Sequence, residues 1–349
     1  MEENEPVWKE YTKMNFLGNS GNGKAYKAKS KTENKTVVIK EYSKHQRNSI
    51  ALYNNEINYM EKLKSENTIK YIKLEESNDY YYIIREFHYG TLDEFTKIHP
   101  NGVSIKEIQK ILLDLSIPFK ILNQNHLIHR DIKPSNILFS YDEKNQLKTI
   151  LSGIYLTEKE GEQFNNNIDV NPTRIICSPE ALMGEKYDMK TDIWSVGILI
   201  YFLIKGNYPF NGKRDLIILR EIDKGIDLNI TDDNDLNDLL KKTLEKDVQK
   251  RISWNEFFNH PFLKKKFQEK KSNQDDEKIK KGKEEILKIL NEINNVKRTN
   301  INTIRDYWVL VSSFGNDNLG KNFNEKVLNP IKQAYMDLVQ ILSSKKYMN

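Results

Sequence analysis

His129-Arg130-Asp131-Ile132-Lys133-Pro134-Ser135-Asn136 sets an imidazole, a guanidinium, a carboxylate, an ammonium and a carboxamide within eight residues. Such a set takes up protons, neutralises anions and offers oxygen to cations. Leu127 and Ile128 precede it, and Ile137, Leu138 and Phe139 follow it. The stretch therefore reads as a polar loop held between two buried anchors. Upstream, Gly18 and Gly23 bracket a turn whose backbone N–H groups can approach phosphates closely. Thr36-Val37-Val38-Ile39-Lys40 is a β-branched run ending in lysine. Glu56, on the helical stretch that follows, is the natural carboxylate partner of Lys40.

The elements that must position these groups are legible in outline. Residues 11–87 read as strands with one helix. Alternation after Gly23 and the run at 36–40 each predict a strand. The helix is expected over 49–64, with Ile57, Met60 and Leu63 on one face and Glu56 beside it. Aromatic and β-branched residues at 80–87 predict another strand, which His88-Tyr89-Gly90 breaks. Leu92 to Phe95 begins a helical segment. Between 105 and 123, Ile108, Ile111, Leu112, Leu115, Phe119 and Leu122 form a helical stripe. Pro118 is expected to kink or restart that helix. A turn at 141–146 and a short strand at 147–151 follow. Residues 152–180 form a long irregular segment, of the kind that usually carries function in a compact domain. Helices are expected at 193–204, from Leu216, and at 239–244.

Composition bounds the rest. The chain has 349 residues, 38% hydrophobic and 30% charged, with 55 basic against 50 acidic side chains. A net charge of +5 is too small to argue for nucleic acid. The single cysteine, Cys177, forms no internal disulfide and fits a reducing compartment. The acidic N-terminus lacks a signal-peptide core. The longest apolar run, Ile193 to Ile204, falls short of the roughly 20 residues that span a bilayer. An intracellular, cytoplasmic protein without membrane or nucleic-acid partners is the expectation.

The spacing from Asp131 to Asn136 resembles the H-R-D-x-x-x-x-N catalytic loop of eukaryotic Ser/Thr protein kinases. The glycine-rich turn, the strand ending in Lys40, Pro172 to Glu180, Asp192 to Gly197, Arg251 and His260-Pro261-Phe262-Leu263 follow the same family's order. The resemblance covers residues 11–263. It implies an α+β, two-lobed protein kinase fold, with a small β-rich N-lobe (about 11–87) and a larger helical C-lobe (about 91–263). It also implies ATP and Mg²⁺ as cofactors, and Ser/Thr hydroxyls of proteins as substrates. Lys40, held by Glu56, would grip the α- and β-phosphates. Leu17, Gly18, Ser20, Gly23, Ala25, Val38, Glu86, His88 and Leu138 would line the nucleotide site, with the hinge from Glu86 to His88 facing the adenine edge. Asp131 would accept the substrate proton, Lys133 would lie near the γ-phosphate, and Asn136 would hold one metal ion. Asp192 would bond the catalytic-loop backbone, Arg251 would pair with Glu180, and Thr173 would take the place of the substrate-pocket threonine.

The chain also departs from that pattern. Leu151-Ser152-Gly153 stands where the family has D-F-G, so an isobutyl group replaces the principal metal carboxylate. Weak or Mn²⁺-dependent metal binding is the expectation, and Ser152 is expected to weaken the hydrophobic link to His129. Arg85 occupies the gatekeeper position, and Val38 replaces the usual alanine above the adenine. Arg130 matches kinases that dock a loop phosphate, yet no Ser, Thr or Tyr lies between Glu158 and Asn171. Glu158, Glu160, Glu162 or Asp169 would instead supply the negative charge. Two readings follow: a Ser/Thr kinase with weak or metal-atypical transfer, and a pseudokinase acting as a nucleotide-binding or protein-interaction scaffold.

After a charged linker at 264–283, apolar stripes at Ile286, Ile289, Leu290 and Ile293, and at Ile331, Tyr335, Leu338 and Leu342, predict a helical C-terminal extension over 284–345. This extension is expected to regulate the kinase-like lobe, dimerise or recruit a partner.

Overall fold

The computed structural model describes residues 6–20, 23–33, 35–97, 99, 102–141, 146–161 and 173–267. The chain divides into two units, 1–140 with 148–265, and 141–147 with 266–349. The first holds the candidate site. Residues 142–145 of the expected turn at 141–146 and the helical extension lie outside the described residues.

A short helix α1 (Pro6–Glu10) leads into β1 (Tyr11–Ser20), β2 (Gly23–Ser30) and β3 (Thr36–Ser43). Helix α2 (Arg47–Met60) follows, then β4 (Tyr71–Glu76) and β5 (Tyr80–Glu86). These strands form one antiparallel sheet in the order β1-β2-β3-β5-β4. Period-two alternation sorts its side chains between two cores. Val37, Ile39, Tyr82 and Ile84 pack with Val7, Trp8 and Tyr26 on one face. Tyr42 and Ile83 pack with Leu52 and Tyr53 of α2 on the other. Helix α1, outside the expected domain start, thus supplies two buried residues to the sheet.

The helical lobe begins with β6 (Gly90–Thr91), α3 (Leu92–Lys97) and α4 (Ile105–Gln124). Short strands β7 (Leu127–Ile128), β8 (Ile137–Tyr141), β9 (Leu147–Leu151) and β10 (Glu158–Lys159) frame the polar loop. Helices α5 (Pro179–Leu182), α6 (Lys190–Lys205), α7 (Asp215–Lys224), α8 (Asn234–Thr243), α9 (Trp254–Phe258) and α10 (Pro261–Lys264) complete it. This is the expected two-lobed α+β arrangement. A Ser104/Glu107 capping box starts α4. Gly206, at φ +71°, ends α6 in a left-handed turn that glycine takes without steric cost.

The structure refines two local expectations. Helix α4 runs through Pro118 without restarting. A mid-helix proline costs about 3 kcal/mol, but Ile111, Leu112, Leu115 and Phe119 are fully buried along the same helix. Each such burial is worth roughly 1.5–3 kcal/mol, which outweighs the lost bond. The buried face of α2 carries Ser49, Leu52, Tyr53, Glu56 and Tyr59, while Ile57 and Met60 are only partly buried. Three partners for the Glu56 carboxylate turn the helix so that Glu56 itself lies on the inner face.

Candidate active site

Strand register assembles the nucleotide side of the site. Gly18 of β1 faces Ala25 of β2, and Ala25 faces Lys40 of β3, so the three form one row. Val38 pairs with Arg85, and Val37 with Glu86. Leu138 pairs with Thr91 in the small sheet, and Leu17 is exposed. Ser20 pairs with Gly23 at the end of the hairpin. Alternation places Lys40 on the α2 side of the sheet, where its Nζ lies 2.8 Å from Glu56 Oε2. The Tyr42 hydroxyl also donates to Oε2, and the Tyr71 hydroxyl donates to Oε1 at 3.2 Å. Burial pushes the Lys40 ammonium below its ordinary pKa. Burial would raise the Glu56 carboxyl, but Lys40, Tyr42 and Arg85 together hold it below its usual value. At the hinge, burial and then the charge of Arg85 lower His88 to about 4, so its imidazole is neutral.

The polar loop is fastened from beneath. Asp192 of α6 accepts the backbone N–H of His129 at 2.7 Å and of Arg130 at 2.9 Å. Arg130 sits at φ +68°, a left-handed conformation that costs a non-glycine residue about 1 kcal/mol or more. The double bond to Asp192 holds it there. Antiparallel pairing of β10 with β7 sets Glu158 opposite Ile128. Arg130 Nη1 then meets Glu158 Oε2 at 2.9 Å, and the Tyr187 hydroxyl donates to the other oxygen at 2.8 Å. Glu158 is thus the acid that faces Arg130. Glu160 pairs with His126, and Glu162 and Asp169 lie outside the described residues.

His129 is fully buried, and its tautomer follows from its partners. Nδ1 accepts the Asp131 backbone N–H, so Nε2 carries the hydrogen and donates to the Ser152 carbonyl at 3.2 Å. The link expected to weaken with Ser152 is therefore made by backbone. Burial lowers the His129 pKa to about 4. A folded pKa below the unfolded value of about 6.5 gives stability that is present above pH 6.5 and lost as pH falls towards 4. Asp192, raised by burial to about 7, has the opposite sign over the same window. The diagnostic is therefore a difference. His129→Asn is expected to cost about 2 kcal/mol less at pH 5 than at pH 7, read by denaturant unfolding. An equal cost at both pH values would show that His129 titrates alike in both states.

Around Asp131 the two carboxylate oxygens have different surroundings. Oδ2 accepts the Asn136 side-chain amide at 2.6 Å and the Tyr155 hydroxyl at 2.8 Å. Oδ1 lies 2.8 Å from Lys133 Nζ as an ion pair but accepts no aligned hydrogen bond, so a lone pair remains open. Lys133 Nζ also donates to Thr173 Oγ1 at 2.8 Å. The structure thus brings Asp131, Lys133, Asn136 and Thr173 together. Tyr155 joins them unannounced, since a tyrosine two places after a glycine carries no spacing signal.

The oxygen inventory does not fit a protein-held divalent cation. Magnesium demands near-octahedral oxygen ligation, commonly with one or two carboxylates. Leu151 is fully buried and offers no side-chain oxygen. Ser152 Oγ donates to the Asn136 carbonyl at 2.8 Å. The Asn136 NH₂ group donates to Asp131, which leaves the carboxamide oxygen as the single neutral ligand from that residue, and Gly153 packs so closely that a Cβ there would lie 2.5 Å from Asn136 Cγ. No cluster of three His, Cys, Asp or Glu side chains suited to a metal occurs among the described residues. Nor is any described helix long and apolar enough to cross a membrane.

Residues 11–263 match the protein kinase domain family. The chain is 30% identical over 215 residues to the serine/threonine-protein kinase ATG1b of Arabidopsis thaliana, covering 60% of this chain and 30% of the relative. It is 31% identical over 232 residues to the putative serine/threonine-protein kinase R517/R518 of Acanthamoeba polyphaga mimivirus, covering 59% and 51%. Against calcium-dependent protein kinase 3 of Plasmodium yoelii yoelii, identity is 32% over 267 residues, covering 72% and 47%. The chain therefore spans about a third to a half of the length of these relatives.

Proposed function

The chain belongs to the Ser/Thr protein kinase family, and we propose from that premise that it binds ATP and transfers the γ-phosphoryl group slowly to Ser or Thr hydroxyls of a protein. Kinases of this family generally use ATP and Mg²⁺. Lys40, charged and oriented by Glu56, grips the α- and β-phosphates beneath the Gly18–Gly23 hairpin. The Asp131 oxygen Oδ1, which accepts no hydrogen bond within the protein, accepts the proton of the incoming hydroxyl, as the hydroxyl oxygen bonds the γ-phosphorus and ADP leaves. Lys133, shared between Asp131 and Thr173, neutralises charge beside the transferring group.

The observation that carries this reading is a buried Oδ1 that accepts no hydrogen bond and is flanked by Lys133, so its basic lone pair is not spent within the protein. The slow rate follows from the missing carboxylate. A thousandfold loss needs only about 4 kcal/mol of barrier, and electrostatic neutralisation supplies most of the help in phosphoryl transfer. A scaffold that holds nucleotide without transfer is the second reading, favoured by the fully buried Leu151. The test measures γ-phosphate transfer to a mixed protein substrate by the native chain and by Leu151→Asp. Transfer by the native chain supports the enzyme. Silence in the native chain with transfer by Leu151→Asp sinks it and leaves the scaffold.

A further inference from the structure

Tyr155 is a buried group in the cleft that the proposed reaction does not use. Its ring lies beneath Lys40, with Nζ 4.5 Å from the centroid. Its hydroxyl donates to Asp131 Oδ2 at 2.8 Å, the same oxygen that takes the Asn136 amide. One side chain therefore spans the interval from Lys40 to Asp131, whose Oδ2 also bonds Asn136, the residue on which the resemblance places one metal ion. The position is held firmly. Asn55 of α2 donates from one Nδ2 to the carbonyls of Tyr155 and Thr157, each at 2.8 Å. Tyr155 and Leu156 are buried in one cluster with Leu52 and Tyr53. Moving the phenol out would break its hydrogen bond to Asp131 Oδ2 and expose that cluster. On the remaining side, Gly153 is pressed against the Asn136 carboxamide.

We propose that Tyr155 stands where a nucleotide-borne metal ion would sit, so that this cleft takes up a nucleoside triphosphate free of divalent cation. The proposal rests on the ATP-binding reading above. Three observations carry it. Asp131 Oδ2 is already taken by the Asn136 NH₂ group and the Tyr155 hydroxyl, and the Ser152 hydroxyl is turned to the Asn136 backbone carbonyl. The replacement at Leu151 removes the carboxylate that would have repelled metal-free phosphate. The cations that remain, Lys40 and Lys133, lie at the two ends of the phenol's span, Lys133 through its ion pair with Asp131. Phosphate charge that a metal would have met is met by ammonium groups instead. Tyr155 thereby determines which form of the nucleotide is accepted, and the aromatic ring does so by volume while the hydroxyl fixes its place.

The experiment is calorimetric titration of ATP into the full chain, once in EDTA and once in excess Mg²⁺. Wild type and Tyr155→Phe, which keeps the ring, are expected to bind ATP at least about tenfold more weakly in excess Mg²⁺, which ties up the nucleotide, than in EDTA. Tyr155→Ala combined with Leu151→Asp empties the position and restores a carboxylate. It is expected to bind at least about tenfold more tightly with Mg²⁺ than with EDTA. Wild-type binding that is as tight or tighter in Mg²⁺ overturns this proposal while leaving the ATP reading intact. So does a double variant that binds ATP without gaining metal dependence. Binding by neither wild type nor Tyr155→Phe in either buffer overturns the ATP reading, and the proposal with it.

Discussion

Asp131→Asn is expected to lower γ-phosphoryl transfer by at least about 100-fold, the usual scale for loss of a positioned general base. The substitution keeps shape and removes charge. In one orientation the new NH₂ group replaces Oδ1 and faces Lys133 Nζ, so an ion pair at 2.8 Å becomes a contact between two donors. In the other it faces the Asn136 amide and the Tyr155 hydroxyl, both donors to Oδ2. Neither orientation leaves a basic lone pair for an incoming hydroxyl. ATP binding depends instead on Lys40 and the sheet, so the thermal shift produced by ATP should survive. The measurement pairs a transfer assay with that shift. Unchanged transfer in a variant that still binds ATP would remove Asp131 from the chemistry.

The second large effect is on folding. Arg251 is almost completely buried and makes a two-pronged bond to Glu180, at 2.7 and 2.9 Å. Its Nε donates to the Glu245 carbonyl at 2.8 Å, and its guanidinium lies 5.2 Å from the Trp194 ring centroid. Removing one partner of a buried pair strands the other charge, at about 3–5 kcal/mol. Arg251→Ala should lose that much, against a total stability of only about 5–15 kcal/mol for a typical domain. Glu180→Ala should cost a similar amount. The double variant should cost less than the sum, because it leaves no stranded charge. Denaturant unfolding of the three proteins measures this. A loss below about 1 kcal/mol for Arg251→Ala would mean that water reaches Glu180 and repairs the site.

These two sites were legible in the sequence for a shared reason. Asp131, Lys133 and Asn136 lie in one loop, where spacing alone sets their geometry. Lys40 with Glu56, and Glu180 with Arg251, are opposite charges whose order along the chain matches a known arrangement. Tyr155 was not legible, because its place depends on a turn that packs against α2, more than ninety residues earlier in the chain. The choice among acids facing Arg130 was likewise open until the pairing of β10 with β7 fixed the register at Glu158. The full inner face of α2 is not legible in the sequence, because buried tyrosines and a buried carboxylate do not look apolar in a periodicity count. The path of α4 through Pro118 depends on burial along its whole length.

The pairing of Arg130 with Glu158 has a consequence in time. A phosphate opposite such an arginine would be written by one enzyme and erased by another, and its presence would record a cell's recent history. Here the charge is encoded in the gene. It is in place as soon as the chain folds, and no phosphatase can remove it. Because Glu158 is buried, salt screens it weakly. The charge that faces Arg130 at this contact is therefore set by the sequence itself and not by a modification.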